Sequence, residues 1–410
     1  MPSPEFRFVH AADLHLDTPF AMIGRVAPEI AQRLRDASVV AFDALVRMAI
    51  EREAAFVIFA GDVYDSGDRS VRAQLRFLRG VEKLGERQIP VFMAHGNHDP
   101  LDGWPAAPRL PRNLIVFGSE AVESHTIRIA GEARAQVYGI SYGRRDVTEN
   151  LALRFRRRDQ PGVHIGVLHC NVGSQPEYAA YSPCTVADLS AAGMDYWALG
   201  HIHQHQRLAE GRPWIVYPGS LQAGKSSEIG PRGAVVVEVS GNSVERVEFV
   251  ALDCVRFARA DVDISGEPDL HSLRKAILAL AVNDGMDLVL TVILSGRGAL
   301  HGELRRHGAI DDLLRDLREE LGVASPFVWI DRIINQSRAE LDRETIARRG
   351  DFSAELTRLV DGLRAEPEML RSLLAGILRP SDRFDPDDAE SLLIEAEDRA
   401  LDLLEGERRR

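Results

Sequence analysis

The stretch Ala55-Phe56-Val57-Ile58-Phe59-Ala60-Gly61-Asp62-Val63-Tyr64-Asp65 begins as an apolar run and ends in a glycine and two aspartates. A short apolar run bounded by turn residues is typical of a buried strand. The same order recurs at residues 89–99, where the run 89–94 leads into Gly96-Asn97-His98-Asp99. The polar residues therefore follow two predicted strands, at the position where open α/β sheets collect ligands.

Apolar runs of this kind recur through the first 250 residues, and helical patterns separate them. Residues 28–52 and 71–84 carry apolar side chains at helical spacing, which predicts two crossover helices packed on a sheet. Residues 234–239 and 244–250 flank a turn sequence, 240–243, which predicts a hairpin where the sheet ends. This alternation is typical of the α/β class. The predicted strands before the hairpin cover residues 6–12, 55–60, 89–94, 136–140, 163–168, 196–199 and 214–217.

The remainder of the chain predicts two further parts. Residues 254–338 read as a small α/β domain, with strands at 255–264, 288–294 and 327–334 and helices at 270–281 and 310–321. Beyond residue 339 no strand is predicted, and two apolar stripes at helical spacing run from Leu356 to Leu363 and from Leu393 to Leu403. Such stripes either pack within the same molecule or bind a partner. The predicted domains are therefore 1–253, 254–338 and 339–410.

Length, charge and cysteine content limit the classes of protein to which this chain can belong. The chain has 410 residues, 45% of them hydrophobic, which is enough for two or three domains with sizeable cores. A formal net charge of -12 argues against a protein that binds nucleic acid with a uniformly basic surface, but it does not exclude a local basic patch. Three cysteines form no paired framework, and we find neither a signal-like N-terminus nor a long apolar stretch. We therefore expect a cytoplasmic protein that does not enter a membrane.

Seven potential metal ligands follow the predicted strands. They are Asp13, His15, Asp62, Asn97, His169, His201 and His203. Asp13 and His15 are two positions apart, so extended backbone would point both side chains to the same side. A mixed set of carboxylate, imidazole and amide ligands suits manganese, iron or zinc better than calcium, and the lack of a thiolate argues against a structural zinc site. Asp62 is our candidate for a carboxylate that bridges two cations.

The other histidines carry no such pattern. His10 and His95 also border predicted strands, and we assign them capping or core roles. The remaining ones are interpreted as structural: His125, His164, His205, His271, His301 and His307.

These motifs resemble those of the calcineurin-like metallophosphoesterase superfamily, in the order D-x-H, G-D-x-x-D, G-N-H-D, a single histidine and G-H-x-H. The resemblance implies a β-sandwich flanked by helices (α/β/β/α), followed by a small α/β capping domain and C-terminal helices. It also implies two divalent metal ions. One would be held by Asp13, His15, Asp62 and His203, and the other by Asp62, Asn97, His169 and His201. Manganese is expected from the resemblance, with iron or zinc as alternatives.

Two further residues receive catalytic roles. His98 follows the predicted ligand Asn97 and would stand over the substrate, where it could donate a proton to the leaving oxygen or stabilise charge on the phosphoryl group. Asp65 would orient it. Two cations would lower the pKa of a shared water, giving a hydroxide for in-line attack on phosphorus.

Finer resemblance concerns the substrate. Residues 8–17, 217–222 and 228–233 look like the SbcD/YhaO branch of DNA repair exonucleases. That branch implies a DNA exonuclease in DNA repair, a homodimer, and C-terminal helices that bind the coiled coil of an SMC-like ATPase. The chain has no phosphate-binding loop of the G-x-x-x-x-G-K-[ST] form, so ATP dependence would come from that partner.

Other readings remain open. A small-nucleotide phosphodiesterase or phosphatase, or an adaptor without catalysis, can share the fold. A run of arginines after Tyr142-Gly143-Arg144-Arg145 either contacts DNA phosphates or forms a solvated helix end. These arginines are Arg154, Arg156, Arg157 and Arg158.

Overall fold

We describe the protein from a computed structural model. It describes residues 6–16, 28–65, 70–103, 110–173, 175, 178–282, 285–322, 324–377 and 389–408. The predicted C-terminal region 339–410 therefore lies outside the described residues at 378–388 and 409–410, and Asp17 of the quoted N-terminal stretch does so as well.

The described residues form strands and helices that are numbered here in chain order. The strands are β1 (Phe6–Ala11), β2 (Phe56–Ala60), β3 (Val91–Ala94), β4 (Leu114–Val116), β5 (Glu123–Ile129), β6 (Glu132–Gly139), β7 (Val163–His169), β8 (Tyr196–Gly200), β9 (Gln206–Ala209), β10 (Trp214–Tyr217), β11 (Gly233–Ser240), β12 (Ser243–Ala251), β13 (Val255–Asp263), β14 (Asp287–Ser295) and β15 (Val328–Asn335). The helices are α1 (Pro28–Glu51), α2 (Val71–Glu86), α3 (Val186–Ala191), α4 (Leu270–Leu280), α5 (His301–Leu304), α6 (Ala309–Leu321), α7 (Arg343–Ala347), α8 (Phe352–Ala365), α9 (Pro367–Ile377) and α10 (Ala389–Arg408).

Two six-stranded sheets form the first part of the chain. The first has the order β12-β11-β1-β2-β3-β4, in which β1 to β4 are parallel and the hairpin β11-β12 joins β1 in antiparallel fashion, with Phe6 opposite Val239. The second has the order β5-β6-β7-β8-β10-β9, with antiparallel strands at both edges. The predicted hairpin is confirmed, and it ends the first sheet.

The sheets pack face to face through apolar side chains that alternate along their strands. Phe8 and Phe56 of the first sheet are fully buried in one cluster with Ile165 and Tyr196 of the second, and the rings of Phe8 and Tyr196 are 5.3 Å apart. Central strands such as β2 and β7 are buried on both faces, which explains why they read as continuous apolar runs. The predicted sandwich is thus confirmed.

Helices and loops cover the two outer faces of the sandwich. The apolar stripes of α1 and α2, which include Phe42 and Phe77, pack on the first sheet. Leu189 of α3 and the loop residue Phe155 pack with Trp197 on the second sheet. The order of layers is therefore α/β/β/α, as the resemblance implied.

Several short elements were not predicted from the sequence. Strands β4, β5 and β9 have only half-buried or mixed patterns, and β4 and β9 are three and four residues long. Edge strands need no continuous apolar run, so their pattern is weak. Helices α3, α5 and α7 were also missed, because a helix of four to six residues shows too few turns for a periodic stripe. Helix α9 was missed because its first residue is Pro367, which ends the preceding helical pattern but is tolerated at a helix start.

The rest of the chain adds a three-stranded sheet of order β13-β14-β15 and the helices α4 to α10. The molecule divides into two compact units. One comprises Met1–Ala258, Asn283–Leu290 and Leu321–Asp331, and the other Arg259–Val282, Thr291–Glu320 and Arg332–Arg410. The three-domain boundaries drawn from the sequence stay a prediction. Among the described helices, none combines the length and apolarity that crossing a lipid bilayer requires.

His10 on β1 takes the core role that the sequence suggested. Its ring is fully buried, with Nδ1 2.9 Å from the Tyr196 hydroxyl and Nε2 3.1 Å from the Leu199 carbonyl oxygen. Burial lowers the pKa of His10 from 6.5 to about 3, against the opposing effect of the bond to Leu199. The imidazole is therefore neutral in the folded protein at neutral pH.

This burial predicts a pH dependence of stability. The unfolded chain binds a proton at His10 below about pH 6.5, whereas the folded chain does so only near pH 3, so stability falls as the pH drops through this window. His10→Gln removes the titrating group. Between pH 7.5 and pH 5, we expect wild type to lose about 2 kcal/mol more unfolding free energy than His10→Gln. Urea unfolding followed by tryptophan fluorescence measures the difference, and parallel losses in the two proteins would contradict the assignment.

Candidate metal centre

The predicted site residues lie at the carboxyl ends of parallel strands from both sheets. Asp13 and His15 follow β1, Asp62 follows β2, and Asn97 and His98 follow β3. From the second sheet, His169 ends β7, and His201 and His203 follow β8. Because the two sheets face each other, their loops meet along one rim of the sandwich.

The backbone of the first motif differs from our expectation. Asp13 and His15 have φ angles of 51° and 42°, so the extended geometry assumed from the sequence is wrong. The reason is that, beyond the end of β1, two backbone hydrogen bonds join this loop to the loop that follows β2. Asp13 N donates to Gly61 O (3.1 Å), and His15 N donates to Asp62 O (3.1 Å). The two loops therefore lie side by side, and the backbone of the loop that carries Asp62 positions Asp13 and His15.

Glycines of the motifs allow these loops to approach each other closely. A Cβ atom at Gly96 would lie 2.3 Å from Oδ1 of Asp62, and one at Gly61 would lie 2.3 Å from Nδ1 of His169. Gly61 also has a φ of 96°, which side-chain-bearing residues rarely adopt. The glycines in G-D-x-x-D and G-N-H-D are therefore required by space around the site.

The structure brings most of the predicted ligands together. Ligating atoms of three groups of residues lie within 4.8 Å of one another: Asp13, His15 and His203; Asp13, Asp62 and His169; and His15, Asp65 and His98. Asp13 and Asp62 are buried almost completely, with exposures of 0% and 1%. Buried carboxylates are costly unless cations or donors neutralise them.

Asn97 and His201 adjoin these groups in different ways. Oδ1 of Asn97 lies 3.0 Å from Nε2 of His169. The backbone N–H of His201 donates to both carboxylate oxygens of Asp13 (3.0 and 3.1 Å), and its ring lies 5.3 Å from that of His169. Nε2 of His201 is 2.9 Å from the carbonyl oxygen of Ala179, which leaves Nδ1 as the ring atom available to a cation.

The hydrogen bonds of His169 indicate that the site favours a positively charged ligand. Nδ1 donates to the carbonyl oxygen of Ala60 (2.9 Å), so Nε2 carries the lone pair of the neutral ring. Yet Nε2 faces two oxygens, Oδ2 of Asp62 (3.3 Å) and Oδ1 of Asn97 (3.0 Å). Three electron-rich atoms converge on one point, which is favourable only with a proton or a cation between them.

The electrostatics of the metal-free residues lead to the same conclusion. Burial disfavours protonation of His15 and His169, but Asp62 and Asp13 act on both rings and Asp65 on His15, and these carboxylates raise each pKa to about 9. Nε2 of His15 is buried and has no hydrogen-bond partner among the described residues. The donors present therefore fit divalent cations, and a cation that binds there displaces protons.

His98 and Asp65 form a pair at the edge of the cluster. Nδ1 of His98 contacts Oδ1 of Asp65, and the His98 side chain is 35% exposed. The same Asp65 oxygen is 3.5 Å from Nδ1 of His15. The backbone N–H of His98 donates to Asp62 (2.9 Å). His98 is thus fixed to the buried carboxylate through its backbone while its ring faces solvent.

Glu228 is a site residue to which sequence reasoning assigned no role. Its Oε1 is 2.7 Å from Nδ1 of His203, and its Oε2 accepts from the backbone N–H of Gly224 (2.7 Å). Burial would raise the pKa of Glu228, but the hydrogen bond and charge of His203 lower it to about 2. A carboxylate on one ring nitrogen directs the other nitrogen toward a metal. Glu228 lies 25 residues from His203, and no spacing rule connects them.

Tyr178, which no motif contains, and Asp99, which ends the G-N-H-D motif but was given no role, also support the site. The hydroxyl of Tyr178 accepts from the backbone N–H of His203 (3.2 Å). Asp99 accepts from the N–H groups of Val63 (2.9 Å) and Gly96 (2.8 Å), which ties the second and third loops together. Nδ1 of His95 is 2.6 Å from the carbonyl oxygen of Asp99, in keeping with a structural role.

Comparisons with known proteins agree with this geometry. The sequence model of the calcineurin-like phosphoesterases matches residues 6–205, and that of the middle domain of the metallophosphoesterase YhaO matches residues 257–338. The chain is 30% identical over 402 residues to the uncharacterized metallophosphoesterase YhaO of Bacillus subtilis, covering 96% of both chains. It is 26% identical over 290 residues to the DNA double-strand break repair protein Mre11 of Thermoplasma acidophilum, covering 67% of this chain and 73% of the relative. It is also 27% identical over 314 residues to the DNA double-strand break repair protein Mre11 of Aeropyrum pernix, covering 71% of this chain and 70% of the relative.

The contact between Glu228 and His203 predicts a loss of metal affinity in Glu228→Gln. The amide cannot hold the imidazole with a charge-assisted hydrogen bond, so we expect binding of Mn²⁺ at the His203 side to weaken about tenfold. Isothermal titration of the metal-free protein with Mn²⁺ measures this. Glu245→Gln, on the exposed strand β12, is the matched control and should bind like wild type. Equal affinities in all three proteins would contradict the role of Glu228.

Proposed function

Since the chain belongs to the YhaO-type branch of the calcineurin-like metallophosphoesterases, we propose that it is an exonuclease that hydrolyses phosphodiester bonds in DNA. Membership of the family gives the reaction class, phosphoester hydrolysis with the aid of metal ions. The choice of DNA is our inference, and it is supported by the Mre11 relatives, whose names state DNA double-strand break repair. DNA repair is accordingly the role that we propose.

The observation that carries the proposal is the His98–Asp65 pair beside the buried carboxylates. Because Nδ1 of His98 contacts Asp65, the other ring nitrogen is left for the substrate. A half-exposed imidazole that a carboxylate orients can donate a proton to the leaving oxygen of a phosphodiester. The fixed backbone of His98 restricts this ring to the rim where the phosphate would bind.

We propose that the cations are held as the resemblance implied. Asp13, His15, Asp62 and His203 would hold one, and Asp62, Asn97, His169 and His201 the other. Two bound cations would supply Lewis acidity to the phosphate and activate water for in-line attack. Manganese remains our proposal for the metal, with iron or zinc as alternatives.

A small-nucleotide phosphodiesterase or phosphatase is the second candidate, because the same centre accepts any phosphoester that reaches it. The length of the Mre11 matches, which extend well beyond the catalytic residues, favours DNA. An adaptor without catalysis is disfavoured, since the described residues include all seven proposed ligands and the His98–Asp65 pair.

The C-terminal helices support the proposal of a protein partner. Leu359 of α8 and Leu403 of α10, one from each predicted stripe, are exposed by 61% and 74%, and Phe352, the first residue of α8, is exposed by 70%. Val360 of α8 and Leu401 of α10 are buried in the same unit. Each stripe is therefore only partly used within the chain, and we propose that its free part binds the coiled coil of an SMC-like ATPase. A homodimer is likewise proposed from the resemblance.

The nuclease proposal predicts that His98→Ala loses hydrolysis and keeps its metal. Removing the proton donor should lower the cleavage rate about 10²- to 10⁴-fold, while Mn²⁺ affinity stays unchanged because His98 is absent from the proposed ligand sets. The assay follows end-labelled linear duplex DNA with Mn²⁺, alongside bis-p-nitrophenyl phosphate. Chelation of the metal should abolish both activities.

His271→Ala, an exposed histidine of α4, is the matched control and should cleave like wild type. Progressive shortening of the duplex by wild type and His271→Ala, but not by His98→Ala, would support the nuclease. Hydrolysis of only the small diester would favour the small-nucleotide phosphodiesterase, and full activity of His98→Ala would contradict the role of the histidine.

A further inference from the structure

The arginines that follow Leu153 are bound to the protein itself. Arg154 pairs with Glu149 (2.7 Å), Arg157 with the buried Asp195 (2.9 Å), and Arg158 donates to the Ser124 hydroxyl (2.8 Å). A guanidinium nitrogen of Arg156 donates to the carbonyl oxygens of Leu153 and Phe155, both at 2.7 Å. Their donors are thus largely engaged, and a phosphate would have to displace these contacts.

Arg144 and Arg145 differ from that group. Both are exposed, and within the part of the chain that the structure describes neither side chain has a hydrogen bond or an ion pair. The neighbouring carboxylates Asp102 and Asp146 are exposed and do not pair with them. Two consecutive exposed arginines without partners among the described residues thus offer two free positive charges on a chain whose net charge is -12.

The loop that carries them is attached to the metal centre. The ring of Tyr142 contacts that of His169 edge-on at 5.5 Å. The carbonyl oxygens of Tyr142 and Gly143 accept from Leu101 N and Asp102 N, both at 3.0 Å, just beyond the His98 loop. Two residues of chain span at most about 7 Å, so the backbone of Arg144 lies within that distance of Tyr142.

We propose that Arg144 and Arg145 form a phosphate-binding subsite for the DNA strand next to the bond that is cleaved. This inference rests on the proposed nuclease function. A strand whose scissile phosphate lies at the cations carries its next phosphates about one nucleotide away, within reach of a loop that contacts His169. Such contacts add affinity without reading sequence, and arginine binds phosphate oxygens with paired donors.

The test measures DNA binding apart from cleavage. Fluorescence anisotropy of a fluorescein-labelled duplex is followed in EDTA from 50 to 200 mM KCl, for wild type and Arg144→Ala/Arg145→Ala. We expect the variant to bind about tenfold more weakly at low salt, and the slope of log affinity against log salt to fall by about two. With Mn²⁺, its KM for duplex DNA should rise, whereas hydrolysis of bis-p-nitrophenyl phosphate stays unchanged.

Arg47→Ala/Arg87→Ala is the matched control. Both are exposed arginines near the C-terminal ends of α1 and α2, which lead into the opposite rim of the parallel sheet. This variant should bind DNA with the salt slope of wild type. Asp146→Asn should change the DNA affinity in the opposite direction. It removes a negative charge next to the arginines in sequence, so DNA binding should become a few fold stronger.

The outcomes separate this inference from the nuclease proposal. Equal affinities and slopes for wild type and Arg144→Ala/Arg145→Ala would overturn the subsite, even if wild type degrades duplex DNA. Failure of wild type to bind duplex would also overturn it. An arginine effect on binding with no cleavage by wild type would support the subsite and count against the nuclease. Equal weakening in the Arg47→Ala/Arg87→Ala control would show a general charge effect and would likewise overturn it.

Discussion

The buried carboxylate of Asp62 is the constraint around which the rim of the sandwich is organised. A carboxylate with 1% exposure must be neutralised by donors or cations, and each of its oxygens faces a different strand end. Oδ1 accepts from His98 N (2.9 Å) after β3, and Oδ2 is 3.3 Å from Nε2 of His169 at the end of β7. These contacts extend from one sheet to the other, so the site depends on correct packing of the two layers. A sandwich, rather than a single open sheet, is therefore what this chemistry requires.

The sequence predicted the parts of the fold and the site that are encoded locally. Runs such as 56–60 are buried on both faces, and their apolar pattern marks the strands directly. Candidate ligands that follow those strands within a few residues, such as Asp62 and Asn97, could be identified from the motif. The rest depends on contacts between distant segments. The left-handed backbone of Asp13 and His15 arises from bonds to residues 61 and 62. Residues 228–233 resemble the family, but nothing in that stretch indicates locally that Glu228 contacts His203.

Charge is distributed unevenly between the surface and the site. The chain as a whole is acidic, and the arginines at positions 154–158 are held by acceptors of the protein itself, as Arg157 is by the buried Asp195. Arginines bound in this way stabilise the loops that carry them, and their guanidinium donors are no longer available to a ligand. Positive charge near the candidate centre would then come from the cations that it would hold and from Arg144 and Arg145, which have no partner among the described residues. The net negative charge of this metallophosphoesterase is therefore compatible with the proposed DNA substrate, because local positive charge can attract a polyanion to one part of an acidic protein.

The position of β11 has a consequence for how the chain is made. This strand pairs with β1, so the fully buried core of the first sheet joins residues near 6 to residues near 239. During synthesis at about 5–20 residues per second, β1 waits roughly ten to forty-five seconds before its second neighbour leaves the ribosome. Throughout that interval one edge of an apolar strand offers free N–H and C=O groups to other chains. The domain is complete only when the hairpin arrives, which makes the nascent catalytic half a natural client for chaperones that shield strand edges.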